Sequence, residues 1–261
     1  MFPYRDDNPT LRTPVVTIAL IAITCVVWVV VQGAGANVPL ARSVCELGLI
    51  PGELLGRVRP GSEIAVGPGV ACRLGAGGAW FTVLSSMFLH GGWLHLIGNM
   101  WFLWIFGNNV EDSMGRVRFL VFYLVCGAVA AAAQVAVNLS SPVPMVGASG
   151  AISGVMGAYL ILYPKVRVHL LVFLGFFVTT VAVPAYFMLA YWALLQALGS
   201  VPSLSGGGSG GGVAFMAHLG GFVAGLALIK AFAQSELVEA HRRVLRRPKV
   251  MFREFSGDRW S

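Results

Sequence analysis

Apolar runs close to the length of a bilayer crossing recur along the whole chain, at about 15–32, 93–107, 119–137, 150–163, 178–198 and 213–229. A helix needs about 20 mostly apolar residues to cross the hydrocarbon core, and several of these runs approach or exceed that length. The runs are continuous rather than alternating, which argues for helices and against a β-barrel. A content of 57% hydrophobic and 11% charged residues, with a mean hydropathy of +0.77, is more apolar than a water-soluble domain sustains. The expected architecture is an all-α polytopic membrane protein with six transmembrane helices.

Positive charge sets the expected orientation. Of the 18 Lys and Arg, eight lie from Lys230 onward. Two precede the first run, two follow the second and two follow the fourth, while the other four all lie in the long loop 33–92. Cytoplasmic segments carry the excess of Lys and Arg, and long loops count for little. Both termini are therefore expected to be cytoplasmic. Residues 1–14 form a short cytoplasmic segment, 15–232 the membrane domain, 33–92 its long outer loop and 233–261 a basic tail. This placement accounts for the net charge of +7, so no nucleic acid partner is expected.

Local patterns fill in the connections. Asn108 to Arg118 reads as a polar turn, and Ser203 to Gly212 as a flexible Gly/Ser loop over the outer end of the bundle. The run from Leu170 to Leu198 is longer than one span needs, so either its first part lies at the interface or the helix tilts, and Pro184 is expected to kink or interrupt it. Leu237, Val238, His241, Val244 and Leu245 share one helical face among arginines, the pattern of an amphipathic helix on an anionic membrane surface. The four cysteines have no metal-ligand spacing. Cys45 and Cys72 both fall in the outer loop, which would face an oxidising compartment, and are expected to form a disulfide.

Four polar residues stand in apolar surroundings: His95, Asn99, Ser149 and His218. Such residues inside a membrane are costly and mark functional sites. The second, fourth and sixth spans all run from outside to inside. His95 and Asn99 lie on one face near the start of the second, Ser149 at the start of the fourth and His218 near the start of the sixth. All four thus fall at one depth in the outer half of the membrane. Gly150 and Gly154 form a GxxxG pattern beside Ser149, and Gly221 and Gly225 another beside His218, which lets two helix backbones close on each other. A serine hydroxyl needs a base to act as a nucleophile, and His218 is the candidate. No Asp or Glu lies within a span, so the site would be a dyad, with His95, Asn99 and the Ser149 amide as oxyanion donors. Taken singly, Ser149 reads as a helix cap, His95 and Asn99 as interhelical hydrogen-bond partners, and His218 as a satisfied buried histidine. His90 reads as a loop or interface residue. A metal site on His90, His95 and His218 would lack both an HExxH pattern and thiolate support, so no metal is expected.

The stretches His90-Gly-Gly-Trp-Leu-His95-Leu-Ile-Gly-Asn99, Gly147-Ala-Ser149-Gly150 and Ala217-His218-Leu-Gly-Gly221-Phe-Val-Ala-Gly225 resemble the rhomboid family of intramembrane serine proteases. Glu111-Asp112 with Gly115 and Arg118-Phe119 resembles that family's turn between its second and third spans. The likeness covers roughly Trp80 to Ala231. It implies a six-helix rhomboid-like bundle, Ser149 as nucleophile, His218 as general base, and His95, Asn99 and the Ser149 amide as the oxyanion hole. It implies no cofactor, a multi-pass location in a bacterial plasma membrane, and transmembrane proteins of the lipid bilayer as substrates. Two departures stand out. The first loop lacks the Trp-Arg pair of some members, and Ser153 stands where some carry an aromatic that packs on the base. Two other readings remain: a catalytically inactive relative that binds membrane clients, and a transporter. A transporter would usually show intramembrane charge or repeated halves.

Overall fold

The apolar runs fold as helices in the computed structural model, which describes residues 2–67, 69–75, 77–175, 177–204 and 213–246. A short strand β1 (Phe2–Asp6) precedes α1 (Val15–Val30). The long loop carries structure of its own: α2 (Asn37–Leu47), the short α3 (Pro51–Leu54), a hairpin of β2 (Glu63–Gly67) and β3 (Val70–Arg73), and α4 (Thr82–Ser85). Then follow α5 (Trp93–Met114), α6 (Arg116–Val137) and α7 (Ser149–Leu162). Strands β4 (Arg167–Leu174) and β5 (Phe177–Pro184) lead into α8 (Ala185–Leu204), α9 (Phe215–Phe232) and α10 (Ser235–Arg246). By length and composition α6 and α9 can each cross a membrane, while α1, α7 and α8 are shorter apolar helices.

The all-α expectation is corrected by two sheets. β1, β4 and β5 form an antiparallel sheet in the order β1-β4-β5, with Asp6 opposite Val168 and His169 opposite Ala182. Residues 178–184, expected as the start of a span, are strand, and the helix begins at Ala185. The stretch is dense in β-branched residues, Val178, Thr179, Thr180, Val181 and Val183, which suit a pleated surface. Gly175 turns the hairpin at φ +64°, a conformation open to glycine. Pro184 closes β5 ahead of α8, so of the two expected effects it interrupts the run rather than kinking a helix. The Gly/Ser segment at 205–212 and the tail beyond 246 lie outside the described residues.

A second correction concerns Asn108 to Arg118. The helix runs on to Met114, and the turn shrinks to Gly115 at φ +77°. Glu111 and Asp112 on this added stretch of helix are buried and satisfied by distant groups, while Arg116 and Arg118 beyond the turn are exposed. Glu111 accepts the Val16 and Thr17 N–H groups at 3.0 and 2.8 Å, and the Thr17 hydroxyl at 2.8 Å. A carboxylate thereby caps the positive end of α1. Asp112 accepts the Leu11 N–H at 2.7 Å and that of Arg12 at 3.2 Å.

The tail helix α10 departs from its expected role as well. Val238 and His241 are buried, the His241 ring packs 4.8 Å from that of Tyr163, and its Nε2 lies 2.8 Å from Asn8 Oδ1. The middle of the apolar face of α10 is thus covered by the end of α7 and the N-terminal segment, with Leu237 and Leu245 half-buried and Val244 exposed.

Cys45 on α2 and Cys72 on β3 are joined by a disulfide with Cα atoms 5.4 Å apart, tying the hairpin to α2. Closing a loop of this size is worth about 3–4 kcal/mol in the chain-entropy account. Reduction, or Cys45→Ser, should therefore loosen the long loop and speed its cleavage by an added protease. Equal alkylation of thiols before and after reduction would show that the bond is not made.

Candidate active site

Helices α6, α7 and α9 form the tightest packing in the molecule, and α8 lies more loosely against α9. Glycine permits that closeness. A Cβ on Gly221 would lie 2.0 Å from the Gly150 carbonyl oxygen, and one on Gly225 would lie 2.0 Å from that of Gly154. On the facing side, a Cβ on Gly150 would come within 2.6 Å of Ala130 Cβ, and one on Gly154 within 2.4 Å of Cys126 Cβ. The two GxxxG patterns therefore face each other across one seam, with α6 filling the other side of α7.

The seam sets Ser149 against His218. Ser149 Oγ lies 2.7 Å from His218 Nε2. The helix start that holds Ser149 is anchored by the Gly147 N–H, which donates to the Ser86 carbonyl at 2.9 Å. The start of α9 is anchored by the Ala217 N–H, which donates to Gln134 Oε1 on α6 at 3.2 Å.

His95 reaches the same place from α5. A Cβ on Gly147 would lie 2.8 Å from His95 Nε2 and 3.5 Å from Ser149 Oγ, so the imidazole and the hydroxyl border one small space. Gly147 has φ +132°, where a side chain would be strained as well as obstructed. The Gly91 N–H donates to His95 Nδ1 at 3.3 Å. That bond leaves the ring proton on Nε2, the atom beside Gly147 and Ser149. Asn99, one turn further along α5, is buried, and its Nδ2 meets no partner among the described residues. A buried amide donor without an acceptor is unusual and suits a group that binds a ligand atom.

His90 lies in the loop ahead of α5, as expected, and is fully buried there. Gln32 at the end of α1 brackets its backbone, donating to the His90 carbonyl at 2.9 Å and accepting its N–H at 2.8 Å. The two histidine rings lie 5.0 Å apart. Burial, and after it the nearby His95, pushes the His90 imidazole down to about 3, so the ring is neutral at physiological pH.

Two residues at the site were not singled out from the sequence. Gln196 on α8 places Oε1 2.9 Å from His218 Nδ1. The Trp192 ring, one turn earlier on the same helix, lies 6.0 Å from the His218 ring and 5.7 Å from that of Phe222. Ser153, at the position where some rhomboids carry an aromatic, turns its hydroxyl onto the Ser149 carbonyl at 2.6 Å. The available signal for Gln196 was its polarity in an otherwise apolar run, the same signal that marked His95 and Asn99.

A family model for the Rhomboid domain matches residues 77–235. The chain is 42% identical over 85 residues to the Rhomboid protease GluP of Bacillus subtilis, a match covering 33% of this chain and 16% of that one. It is 31% identical over 149 residues to RHOMBOID-like protein 4 of Arabidopsis thaliana, covering 56% of this chain and 32% of the relative. A Rhomboid-like protease 5 of Toxoplasma gondii is 30% identical over 171 residues, covering 63% of this chain and 17% of its own. The chain thus spans under half the length of each of these relatives.

Proposed function

This chain belongs to the rhomboid family, and from that premise we propose that it hydrolyses peptide bonds in or near transmembrane segments of other proteins through a Ser149–His218 dyad. The observation that carries the reading is the 2.7 Å contact between Ser149 Oγ and His218 Nε2 across the glycine seam. Helices α1, α5, α6, α7, α8 and α9 are the six spans of the proposed topology, with both termini in the cytoplasm. The charge distribution supports that orientation. Together with the bacterial relative it supports a multi-pass location in a bacterial plasma membrane.

In the proposed reaction Ser149 Oγ attacks the substrate carbonyl carbon, and its proton passes to His218 Nε2. The tetrahedral oxyanion is met by His95 Nε2–H, the Asn99 amide and the Ser149 N–H at the positive end of α7. His218 then gives its proton to the leaving amine, which departs and leaves an acyl ester on Ser149. A water molecule, deprotonated by His218, attacks that ester and restores the hydroxyl. Water must reach this depth, which a site in the outer half of the bilayer allows.

The test is purified protein in liposomes with a panel of single-span substrates, alongside labelling by a serine-directed fluorophosphonate. The parent protein should cut at least one substrate and be labelled on Ser149. Asn99→Ala should lower turnover about a hundred- to thousandfold, the usual loss for one oxyanion donor, while labelling persists at a reduced rate. If no substrate is cut and no label is taken up, an inactive relative that binds membrane clients becomes the better reading.

A further inference from the structure

The dyad leaves open what holds the base, and α8 supplies two groups at that position. His218 Nδ1 faces Gln196 Oε1 at 2.9 Å while Nε2 faces Ser149 Oγ at 2.7 Å. For Nε2 to accept the serine proton, the ring proton must sit on Nδ1. A carbonyl oxygen at Nδ1 favours that tautomer, because it can accept a hydrogen bond and cannot donate one. The alternative tautomer would set the Nδ1 lone pair against the Gln196 oxygen and present Nε2–H to Ser149. Trp192 flanks the same ring, with centroids 6.0 Å apart, and limits its tilt.

We propose that Gln196 is a positioning residue that fixes the tautomer and orientation of His218 through its hydrogen bond to Nδ1, and that the alignment of the base therefore depends on where α8 sits. This inference rests on the serine-protease reading and deepens it. The dependence on α8 matters because that helix packs on α9 less closely than α6 and α7 do. One side of it, Tyr186, Phe187, Tyr191, Leu194 and Leu198, is exposed along its length, while the other packs on α9 and, less extensively, on α7 and the β4–β5 hairpin. Movement of α8 away from α9 withdraws both the carbonyl acceptor and the indole from His218. Loss of the helix contact and loss of base alignment are then one event, and the site is competent only when α8 is seated.

The experiment compares Gln196→Leu, Gln196→Asn and Gln196→Glu with the parent in liposomes, reading kcat and KM for one cleaved substrate and the pH dependence of kcat/KM. Gln196→Leu leaves the imidazole without its acceptor and frees the second tautomer. Its kcat should fall about 10- to 100-fold, with KM changed by less than about twofold, in line with leaving one buried polar group unpaired. Gln196→Glu retains an acceptor oxygen and adds negative charge beside Nδ1–H. It should keep substantial turnover, and the acidic limb of its pH–rate profile should move to higher pH by about a unit or more. Gln196→Asn, one methylene shorter, should fall between the two. A purely structural role would lower the amount of folded protein without moving the pH profile of what remains, so the Glu variant still decides the matter if the Leu variant fails to fold. An active parent with unchanged kcat in Gln196→Leu and an unmoved profile in Gln196→Glu overturns this inference alone. A parent that neither cleaves nor labels overturns the serine-protease reading and takes the inference with it.

Discussion

Replacing Ser149 with alanine should lower substrate cleavage by roughly ten thousand- to a millionfold and abolish fluorophosphonate labelling, leaving only what bound oxyanion donors can do without a nucleophile. The hydroxyl is the one group at the site able to form the acyl intermediate, and its contact within the protein is the 2.7 Å bond to His218. Losing that bond costs on the order of 1 kcal/mol, so the variant should still fold and keep nearly the parent's thermal midpoint. His218→Ala should fall to nearly the same floor, and the double variant should fall no further, because nucleophile and base act as a unit. Measured in the same liposomes, a Ser149→Ala protein that cleaves as fast as its parent would exclude the serine mechanism.

The site was more legible in the sequence than the fold around it, and for a physical reason. Ser149, His218, His95 and Asn99 stand out because a polar side chain in an apolar run needs a partner, and each lies near the start of a run that the proposed topology directs the same way. The glycine pairs were legible for a similar reason, since a four-residue spacing puts both members on one helix face. Gln196 carried the same signal. It is obscured because nothing in the run from Leu170 to Leu198 fixes where the helix begins or which face it turns inward, which leaves its register in the bundle undefined. That run hides a strand pair because both of its faces are apolar, so the alternation that marks a strand is missing and only the β-branched content remains. Glu111 and Asp112 mislead for the opposite reason. Their charge suggested a turn in water, whereas their partners are backbone groups of Leu11 to Thr17 about a hundred residues away, which no local pattern reports.

The glycine seam makes the other large prediction. Gly221→Val should abolish both labelling and cleavage and lower the thermal midpoint, although residue 221 touches no reacting atom. The nearest group to a new Cβ is the Gly150 carbonyl oxygen at 2.0 Å, backbone that cannot rotate aside, with the Gly150 carbonyl carbon at 3.0 Å and Ala130 Cβ at 3.3 Å behind it. Helices α7 and α9 must then separate by about an ångström for the first methyl alone, and further for a branched side chain. Overpacking of this kind typically costs about 1–3 kcal/mol and sometimes more. The functional cost is larger, because Ser149 adjoins Gly150 and His218 lies less than one turn from Gly221. The displacement falls directly on their 2.7 Å hydrogen bond. A misplacement of about 1 Å at reacting groups can cost a hundredfold, so Gly221→Ala should already lose that much. Gly225→Ala meets the Gly154 oxygen at the same 2.0 Å but a full turn further from the dyad. It should therefore match Gly221→Ala in lost stability while retaining more activity. Gly98→Ala serves as the stability control: nothing lies within 4 Å of its Cβ, and a helical glycine replaced by alanine should gain up to about 1 kcal/mol. The order expected in cleavage rate is Gly225→Ala above Gly221→Ala above Gly221→Val. Equal labelling of Gly221→Val and the parent would mean that α7 and α9 do not meet at this seam, and the site would have to be assembled some other way.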